Sequence, residues 1–309
     1  MSNLFTHHSR TTILNGDVRD LLPSLPSDHF DCVVTSPPYW GLRDYGVEGQ
    51  IGLEPTLGEH LSIMVNLFND VRRVLKPTGT CWINYGDCYA TTPNGRSAAN
   101  TKTAGKDDRT FRDKPFSTIQ GVLKPKDLCM VSNRLAIALQ EDGWYVRSEI
   151  IWHKPNPMPE SVKDRPTSAH EKVWLLTKSE KYFYDDEAIK EQASGRVPGN
   201  KNPSRVDASR NDSVSIIAAG QKQWDFRNAR NVWSIPTKSF KGAHFATMPP
   251  ELAERCIKAG CPVGGVVLDP FGGAGTTGLV ANQLQRNATL IELNTEYVDL
   301  AQQRIEAAE

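Results

Sequence analysis

Short apolar runs alternate along most of this chain with segments whose apolar residues recur at helical spacing. Between residues 57 and 75 apolar side chains recur every three or four positions, which predicts a helix that Lys76-Pro77-Thr78-Gly79 ends. Further helices are predicted near residues 128–139 and in TTGLVANQLQ and TEYVDLAQQRIEAA. The runs that predict buried strands are TTILN, FDCVVT, TCWINYG, GWYVRSEIIWHK, KVWLLTK, GGVVLDP and ATLIEL. This alternation predicts an α/β protein with a doubly wound, mostly parallel sheet that is covered on both faces.

Two polar segments, residues 89–127 and residues 191–231, interrupt the alternation and carry local positive charge. Between residues 102 and 126 there are seven Lys or Arg against three Asp, and between residues 190 and 238 there are nine against four acidic residues. Segments of this length without periodicity are usually functional or disordered. We expect the first to be a mobile polar loop, and a solvated surface loop is the alternative for both.

The composition is that of an ordinary globular protein. The 309 residues are 39% apolar and 23% charged with zero formal net charge, so that a nucleic-acid partner would need a local basic face. The N-terminal residues lack an apolar signal segment and no run of 18 apolar residues occurs, so we expect a cytoplasmic protein that does not contact membranes. The six cysteines form no CxxC pair, which predicts reduced core thiols and no metal site.

A glycine-rich turn near the C-terminus carries the clearest chemical signal. In VVLDPFGGAGTT an apolar strand leads through Asp269 and Phe271 into a helix, and the glycines allow a ligand to approach the backbone closely. The spacing is F-x-G-x-G, from Phe271, Gly273 and Gly275, and not the GxGxxG that binds a pyrophosphate. Glu292 ends the next strand, where a carboxylate can accept hydrogen bonds from ribose hydroxyls. These residues predict a nucleoside ligand without a diphosphate, such as S-adenosylmethionine, and a structural turn is the alternative.

A second signal, TSPPYW, follows the predicted strand FDCVV. Glycine turns of the kind described above usually follow the first strand of a doubly wound sheet, yet here most strands precede the turn. A circularly permuted order accounts for this, with the cofactor half C-terminal and TSPPYW in the N-terminal half. Both motifs would then lie at the carboxyl ends of parallel strands, where open α/β sheets bind their ligands.

The SPPY tetrad, the FGGAG turn and their order in the chain resemble the amino-group DNA methyltransferases, in the motif order of the β class. The resemblance covers most of the chain outside the two polar segments. It implies a circularly permuted, Rossmann-like fold with S-adenosylmethionine as cofactor. It also implies duplex DNA as the substrate, with direct methyl transfer to the exocyclic nitrogen of a flipped cytosine or adenine.

The resemblance gives each residue of the tetrad a role that chemistry supports. The lone pair of an exocyclic amine is delocalised into the base, so acceptors that hold its N–H groups can aim that lone pair at the methyl donor. Ser36 Oγ and the Pro37 carbonyl are suitable acceptors, Pro38 stiffens the turn and Tyr39 stacks on the base. Trp40 either stacks on a base or packs in the core. A proline-stopped strand with anchoring aromatic residues is the alternative for the whole segment.

Further residues match the family by position. Asp17 should lie beside the cofactor half, where its carboxylate could accept a hydrogen bond from the adenine amino group of the cofactor. The alternative is that Asp17 caps a helix. Phe245 and Thr247 match the segment that walls the methionine side of the cofactor, or they precede a helix start. Thr276 and Thr277 complete the cofactor-binding turn with Asp269. For three residues of another matching strand we expect a structural role, with at most a contact to the DNA backbone: His170, Glu171 and Lys178.

The resemblance also divides the chain. Residues 1–185 form the catalytic half, residues 186–240 a target-recognition insertion and residues 241–309 the cofactor-binding half. Arginine side chains can read guanine edges in the major groove, so basic and aromatic residues in the insertion are expected to contact DNA. These candidates are Trp224, Arg227 and Arg230.

The leading serine of the tetrad favours N4 of cytosine as the target, because adenine-N6 members of this class more often carry Asp or Asn there. An adenine-N6 enzyme stays open, as do an RNA or protein methyltransferase and an inactive nucleic-acid-binding module. The resemblance implies a bacterial or phage-encoded protein. A homodimer and a cognate restriction endonuclease are its candidate partners.

Overall fold

The computed structural model describes residues 5–7, 10–42, 44, 46–92, 116–193, 225–238 and 248–308. Three candidate site residues lie outside these ranges, namely Trp224, Phe245 and Thr247. The chain divides into a large unit, formed by residues 1–185 and 231–309, and a small unit of residues 186–230. In the small unit, two short strands pair antiparallel, with Glu191 opposite Arg227.

Strands and helices alternate along the large unit as the sequence predicts. The strands are β1 (Phe5–His7), β2 (Thr11–Asn15), β3 (Phe30–Thr35), β4 (Leu75–Tyr85), β5 (Tyr145–His153), β6 (His170–Thr177), β7 (Glu191–Gln192), β8 (Phe226–Arg227), β9 (Val232–Ser234), β10 (Val266–Asp269) and β11 (Asn287–Glu292), of which β7 and β8 belong to the small unit. The helices are α1 (Val18–Leu21), α2 (Leu57–Val74), α3 (Val131–Glu141), α4 (Pro250–Gly260), α5 (Thr276–Gln283) and α6 (Thr295–Glu306).

Nine of the described strands form one sheet, in the order β1-β2-β11-β10-β3-β4-β6-β5-β9. The five strands β2, β11, β10, β3 and β4 run parallel to one another. β6 is antiparallel to both of its neighbours and β1 is antiparallel to β2, whereas β5 and β9 pair in parallel. The predicted doubly wound, mostly parallel sheet is therefore confirmed.

The two strands that come last in the chain lie inside this sheet. β10 pairs with β3 through Leu268 and Val33, and β11 pairs with β2 as far as Glu292 and Asn15. The carboxyl ends of β2, β11, β10 and β3 consequently meet at one edge of the sheet. This is the circularly permuted arrangement predicted from the order of the motifs.

Neighbouring side chains on the central strands enter different hydrophobic clusters, so both faces of the sheet are buried. Ile13 of β2 and Leu290 of β11 pack against apolar side chains of α6. The next residues, Leu14 and Ile291, join a larger cluster that includes side chains of α2 and α3. Because successive side chains of a strand point to opposite faces of the sheet, each central strand packs against both helical layers.

The helix α2 begins and ends with clear local signals. Thr56 and Glu59 form a capping box at its start, in which each side chain accepts from the other residue's backbone N–H. The helix ends at Val74, one residue before the predicted end, and residues 76–79 do not form a separate turn. They are the first part of β4, which is therefore longer than the apolar run alone predicts.

The two ends of the polar segment 89–127 are hydrogen-bonded to each other within the large unit, whereas we expected a mobile loop over its whole length. Ala90 N donates to the Asp127 carbonyl at 2.7 Å, and Lys126 N donates to the Ala90 carbonyl at 2.8 Å. Leu123 is buried in the core. Only residues 93–115 of this segment lie outside the described residues.

The cysteines are core residues. All six are free and buried, as predicted. Burial raises the pKa of the Cys261 thiol to about 12, so this thiol stays protonated at neutral pH. In the part of the chain that the structure describes, no helix combines the length and the apolar character needed to cross a bilayer.

Gly260, at the end of α4, is a tight packing point that yields a stability prediction. A Cβ on this residue would lie 2.3 Å from both Thr80 Oγ1 and Trp82 Nε1. Thr80 Oγ1 also donates to the Gly260 carbonyl at 3.0 Å. We expect Gly260→Ala to lower the free energy of unfolding by about 1–3 kcal/mol through overpacking, measured by urea denaturation. The control is Gly58→Ala in the exposed first turn of α2, where a Cβ has space; an equal effect of both variants would contradict the packing account.

Candidate active site

A cavity of about 300 Å³ opens where the carboxyl ends of the central strands meet. The glycine turn after β10 and Glu292 line one side of it, together with Asp17 after β2. The tetrad after β3 lines the other side, with side chains from β4, β5 and β6. The structure therefore brings together in one cavity the two motifs that are about 230 residues apart in the chain.

A buried carboxylate joins the two motifs. Asp269 Oδ1 accepts from Thr35 Oγ1 at 2.7 Å and from Phe271 N at 3.1 Å, and its Oδ2 accepts from Thr277 Oγ1 at 2.7 Å. Burial raises the pKa of Asp269, and these three donors oppose that effect because they stabilise the charged form. Thr35 directly precedes the tetrad and Thr277 lies in the first turn of α5, so Asp269 connects the end of β3 to the glycine turn.

The glycine turn adopts backbone conformations that favour glycine. Gly273 and Gly275 have φ angles of 49° and 75°, in the left-handed region. A Cβ on Gly275 would lie 2.8 Å from the Cβ of Ala301 in α6, so the turn and this helix pack closely. At Gly273 a Cβ would approach nothing closer than the Phe271 carbonyl at 4.0 Å, so the side of Gly273 that faces away from the core is open for a ligand.

Glu292 is fixed by the backbone of two turns. Its Oε2 accepts from Gly273 N and its Oε1 from Asn294 N, each at 2.8 Å. Burial raises the pKa of Glu292, and the two N–H donors oppose this. Each carboxylate oxygen has two acceptor sites, so Glu292 can also accept hydrogen bonds from a ligand in the cavity.

The two threonines of the turn use their hydroxyls within the protein. Thr277 donates to Asp269, as described above, and Thr276 Oγ1 accepts from Arg304 Nη1 at 2.9 Å. Arg304 also donates to the Ala274 carbonyl at 3.0 Å. The threonines line the cavity, but these contacts shape the turn. No pattern in the sequence pointed to Arg304, because it lies on α6 among ordinary helical residues.

Asp17 serves as a helix cap and also lines the cavity. Its Oδ1 accepts from Arg19 N at 2.8 Å, which caps α1, and its carboxylate pairs with the Arg19 guanidinium. Burial would raise the pKa of Asp17, but the contacts with Arg19 outweigh it and the pKa lies below its usual value. Gly16 N donates to the Glu292 carbonyl at 3.0 Å, so Asp17 lies beside the end of β11, as the permuted order predicts.

The tetrad side chains belong to a polar network that extends across three strands. Ser36 Oγ lies 3.3 Å from Tyr39 Oη, which donates to Glu171 Oε2 of β6 at 2.8 Å. Asn84 of β4 donates to the same oxygen at 3.1 Å, and Lys154, just after β5, forms an ion pair with Glu171. Burial, together with the Glu171 carboxylate, raises the pKa of Tyr39 well above its usual range, so its hydroxyl stays protonated.

Glu171 therefore needs a correction, because we expected a structural role for it with at most a contact to DNA. Its carboxylate lies in the cavity beside Tyr39. Lys154 and Asn84 were not among the sequence candidates. Lys178, by contrast, has a structural contact, since its Nζ donates to the Leu75 carbonyl at 2.9 Å.

Trp40 also needs a correction, because it does not face the cavity. Its side chain is 1% exposed, and its indole N–H donates to the Glu54 carbonyl at 3.0 Å. Of the two alternatives that the sequence left open, packing in the core is the one observed. Direct contact of Trp40 with a base is therefore wrong for this conformation.

The backbone of the tetrad rests on a buried chain of hydrogen bonds. The Tyr85 hydroxyl donates to the Pro38 carbonyl at 3.2 Å and accepts from Trp40 N at 3.1 Å. His60 Nε2 lies 2.7 Å from the same hydroxyl, and His60 Nδ1 lies 2.7 Å from Glu54 Oε2. The Tyr39 ring packs against Tyr85 and against Gly86, where a Cβ would lie 2.5 Å from the ring.

In the small unit, the two candidate arginines share one acidic partner. Arg230 Nε lies 2.9 Å from Glu191 Oε2, and Arg227 Nε lies 3.4 Å from the same oxygen. Their side chains are 65% and 37% exposed. Contact of these residues with DNA stays a prediction.

Comparisons with known proteins show the family of this chain. The model of the family described as DNA methylase, which groups N6 and N4 enzymes, matches residues 30–303. The chain belongs to this DNA methylase family. The type II methyltransferase M.SmaI of Serratia marcescens is 48% identical over 293 residues, covering 95% of this chain and 90% of its own. M.Cfr9I of Citrobacter freundii is 46% identical over 295 residues, which cover 96% of this chain and 87% of M.Cfr9I.

Solved structures show the same fold. The PvuII DNA methyltransferase, described as cytosine-N4-specific, has a TM-score of 0.65 at 20% identity and covers 96% of this methylase and 86% of its own chain. A protein of Thermus thermophilus described as a putative DNA modification methylase, solved in complex with S-adenosylmethionine, has a TM-score of 0.57 at 24% identity, with 97% and 95% coverage. The predicted family and fold are thus confirmed.

The Glu54–His60 contact beneath the tetrad yields a prediction about pH. Burial would raise the pKa of Glu54, but hydrogen bonds from His60 and Gly52 outweigh it, so the pKa lies below its usual value. A carboxylate with a lowered pKa stabilises the fold above its unfolded-state pKa, about 4.3, and this contribution is lost as the pH falls through the folded-state value. We expect Glu54→Gln to lower the melting temperature at pH 7, and the difference from the wild type to shrink below about pH 4.

The control for this measurement is Glu48→Gln, which changes an exposed carboxylate in the same stretch of chain. Glu48→Gln should differ little from the wild type at either pH. A difference in melting temperature between the wild type and Glu54→Gln that stays constant from pH 7 to pH 3.5 would contradict the lowered pKa of Glu54.

Proposed function

We propose that this methylase transfers the methyl group of S-adenosylmethionine to the exocyclic N4 of a flipped cytosine in duplex DNA. The observation that carries the proposal is the single cavity that the SPPY tetrad and the glycine turn with Glu292 both line. A methyl donor held at one end of such a cavity can face an amine held at the other. Transfer is direct, without a covalent enzyme intermediate.

The cofactor end of the cavity suits the chemistry of S-adenosylmethionine. Glu292 accepts the ribose hydroxyls and Asp17 accepts from the adenine amino group. The open side of Gly273 lets the cofactor approach the backbone, and Phe271 lines the same end. The carboxylates that line the cavity also favour the positive charge of the sulfonium. The roles of Phe245 and Thr247 at the methionine side remain part of the proposal.

The base end of the cavity suits an exocyclic amine. Ser36 Oγ and the Pro37 carbonyl accept from the two N–H groups of the amine, which aims its lone pair at the methyl group. Pro38 stiffens this turn, and the Tyr85 hydroxyl holds the Pro38 carbonyl. Tyr39 offers a ring face to the flipped base, while Tyr85 and Gly86 support the ring from behind.

Ser36 is the reason to propose cytosine. Adenine-N6 relatives with this motif order more often carry Asp or Asn at the first tetrad position. The PvuII enzyme, whose name describes it as cytosine-N4-specific, shares the fold, which supports the proposal without deciding it.

We further propose that residues 186–240 recognise the target sequence, with Trp224, Arg227 and Arg230 contacting DNA. The relatives named above are bacterial type II methyltransferases, a term that belongs to restriction–modification systems. A cognate restriction endonuclease in a bacterial cell or its phage, and a homodimer, are therefore the partners to test first.

The target base can be determined directly. The protein is incubated with methyl-labelled S-adenosylmethionine and duplex DNA copied from genomic template with unmodified nucleotides, and the DNA is then digested to nucleosides. We expect the label in N4-methyl-2′-deoxycytidine. Ser36→Ala should lower the rate of methyl transfer by about 100-fold or more, because one acceptor of the amine is lost.

The matched control is Ser62→Ala, which removes a hydroxyl that donates to the Gly58 carbonyl on an exposed face of α2. This variant should methylate DNA at the wild-type rate. Label in N6-methyl-2′-deoxyadenosine would overturn the cytosine assignment, and full activity of Ser36→Ala would overturn the role of the tetrad.

A further inference from the structure

The hydrogen bonds between Ser36, Tyr39 and Glu171 have a defined direction. Glu171 Oε2 is a carboxylate oxygen and can only accept, so Tyr39 Oη donates to it across 2.8 Å. The Tyr39 oxygen is then free to accept, so the Ser36 hydroxyl, 3.3 Å away, donates to Tyr39. This orientation leaves the lone pairs of Ser36 Oγ to accept from the amine of a bound base.

Glu171 is held so that it stays in this position. Lys154 pairs with its Oε1, while Asn84 Nδ2 donates to its Oε2 at 3.1 Å and to the Lys172 carbonyl at 3.2 Å. The side chains of Glu171 and Lys154 are only 20% and 19% exposed. The carboxylate is thus fixed by groups from β4, by the tetrad and by Lys154, at the border of the cavity.

The reaction requires a proton acceptor that the tetrad alone lacks. When an amine nitrogen attacks the methyl group, it becomes positively charged and must lose a proton. The hydroxyl of Ser36 is a poor final acceptor, because a protonated hydroxyl is a strong acid. The proton must therefore leave Ser36 for a basic group, and Glu171 is the carboxylate to which Ser36 is connected through Tyr39.

We propose that Glu171 is a positioning residue that acts through Tyr39 and Ser36 and is the final acceptor of the proton released by the base amine. The proposal rests on the proposed function, methyl transfer to an exocyclic amine. The amine lone pair forms the N–CH₃ bond as the S–CH₃ bond breaks and its electron pair stays on sulfur. The amine proton passes to Ser36 Oγ, the Ser36 proton to Tyr39 Oη, and the Tyr39 proton to Glu171 Oε2.

This route also keeps the charge of the cavity constant. Methyl transfer removes the positive charge of the sulfonium, and protonation removes the negative charge of Glu171. Lys154 keeps its charge throughout. The net charge of the site is thus the same before and after the transfer, although Lys154 loses its ion-pair partner when Glu171 is protonated.

The test compares Glu171→Gln, Glu171→Asp and Tyr39→Phe in single-turnover methyl transfer at saturating DNA and S-adenosylmethionine. Tyr39→Phe keeps the ring and removes the relay hydroxyl. We expect Glu171→Gln and Tyr39→Phe each to lower the rate by about 100-fold or more, since proton transfer by a positioned group contributes on this scale. The affinities for DNA and cofactor should change less than about threefold. Glu171→Asp should recover at least tenfold over Glu171→Gln, and the double variant should be no slower than either single one.

Glu149→Gln is the matched control. Glu149 lies on β5 and pairs at 2.6 Å with Lys172, the neighbour of Glu171 on β6, and it does not contact Tyr39. This variant should keep the wild-type rate. A Glu171→Gln rate within threefold of the wild type would overturn the proposal. The proposal would also be overturned if Glu171→Gln lost affinity for DNA or cofactor as strongly as it lost rate, and Glu171→Asp did not recover the rate. Rates are measured on whichever nucleoside the wild type methylates, so an adenine product would overturn the cytosine assignment and leave this comparison intact.

Discussion

The buried carboxylate of Asp269 is the contact on which the rest of the site depends. It accepts from Thr35, 234 residues away in the chain, and from Thr277 and the Phe271 backbone in the turn that follows it. Separating β3 from the glycine turn would remove one of the three donors to this buried carboxylate and leave the buried Thr35 hydroxyl without its acceptor, which costs more than the hydrogen bond itself is worth. The start of the tetrad and the start of the cofactor turn are therefore held in one arrangement, although they come from opposite ends of the chain.

Around this contact the cavity combines three kinds of support. Backbone N–H groups hold Glu292, the Tyr85 hydroxyl holds the backbone of the tetrad, and Lys154 with Asn84 holds Glu171. Each functional group is thus fixed by residues on ordered strands or at their ends, as pre-organised sites require.

The strand and helix pattern, and the presence of the two motifs, were sufficient to predict the sheet, its permuted order and the family. Local patterns could not show Glu171 and Lys154 as parts of the site, because their position depends on β6 pairing antiparallel between β4 and β5. They also could not decide the place of Trp40, since a tryptophan beside a ligand-binding turn and one that anchors that turn to the core have the same sequence. The ordered ends of the segment 89–127 escaped prediction because their hydrogen bonds join residues about 37 positions apart.

The central claim is that Asp269 couples β3 to the glycine turn, and the affinity of Thr35→Val for S-adenosylmethionine tests it most directly. Thr35 is the last residue of β3, and its side chain bonds only to Asp269 among the contacts described above. We expect calorimetry to show binding weakened by about tenfold, which corresponds to about 1.4 kcal/mol, and a similar loss for Thr277→Val. Thr289→Val on β11 should bind as the wild type does. Wild-type affinity of Thr35→Val together with a loss in Thr277→Val would contradict the coupling.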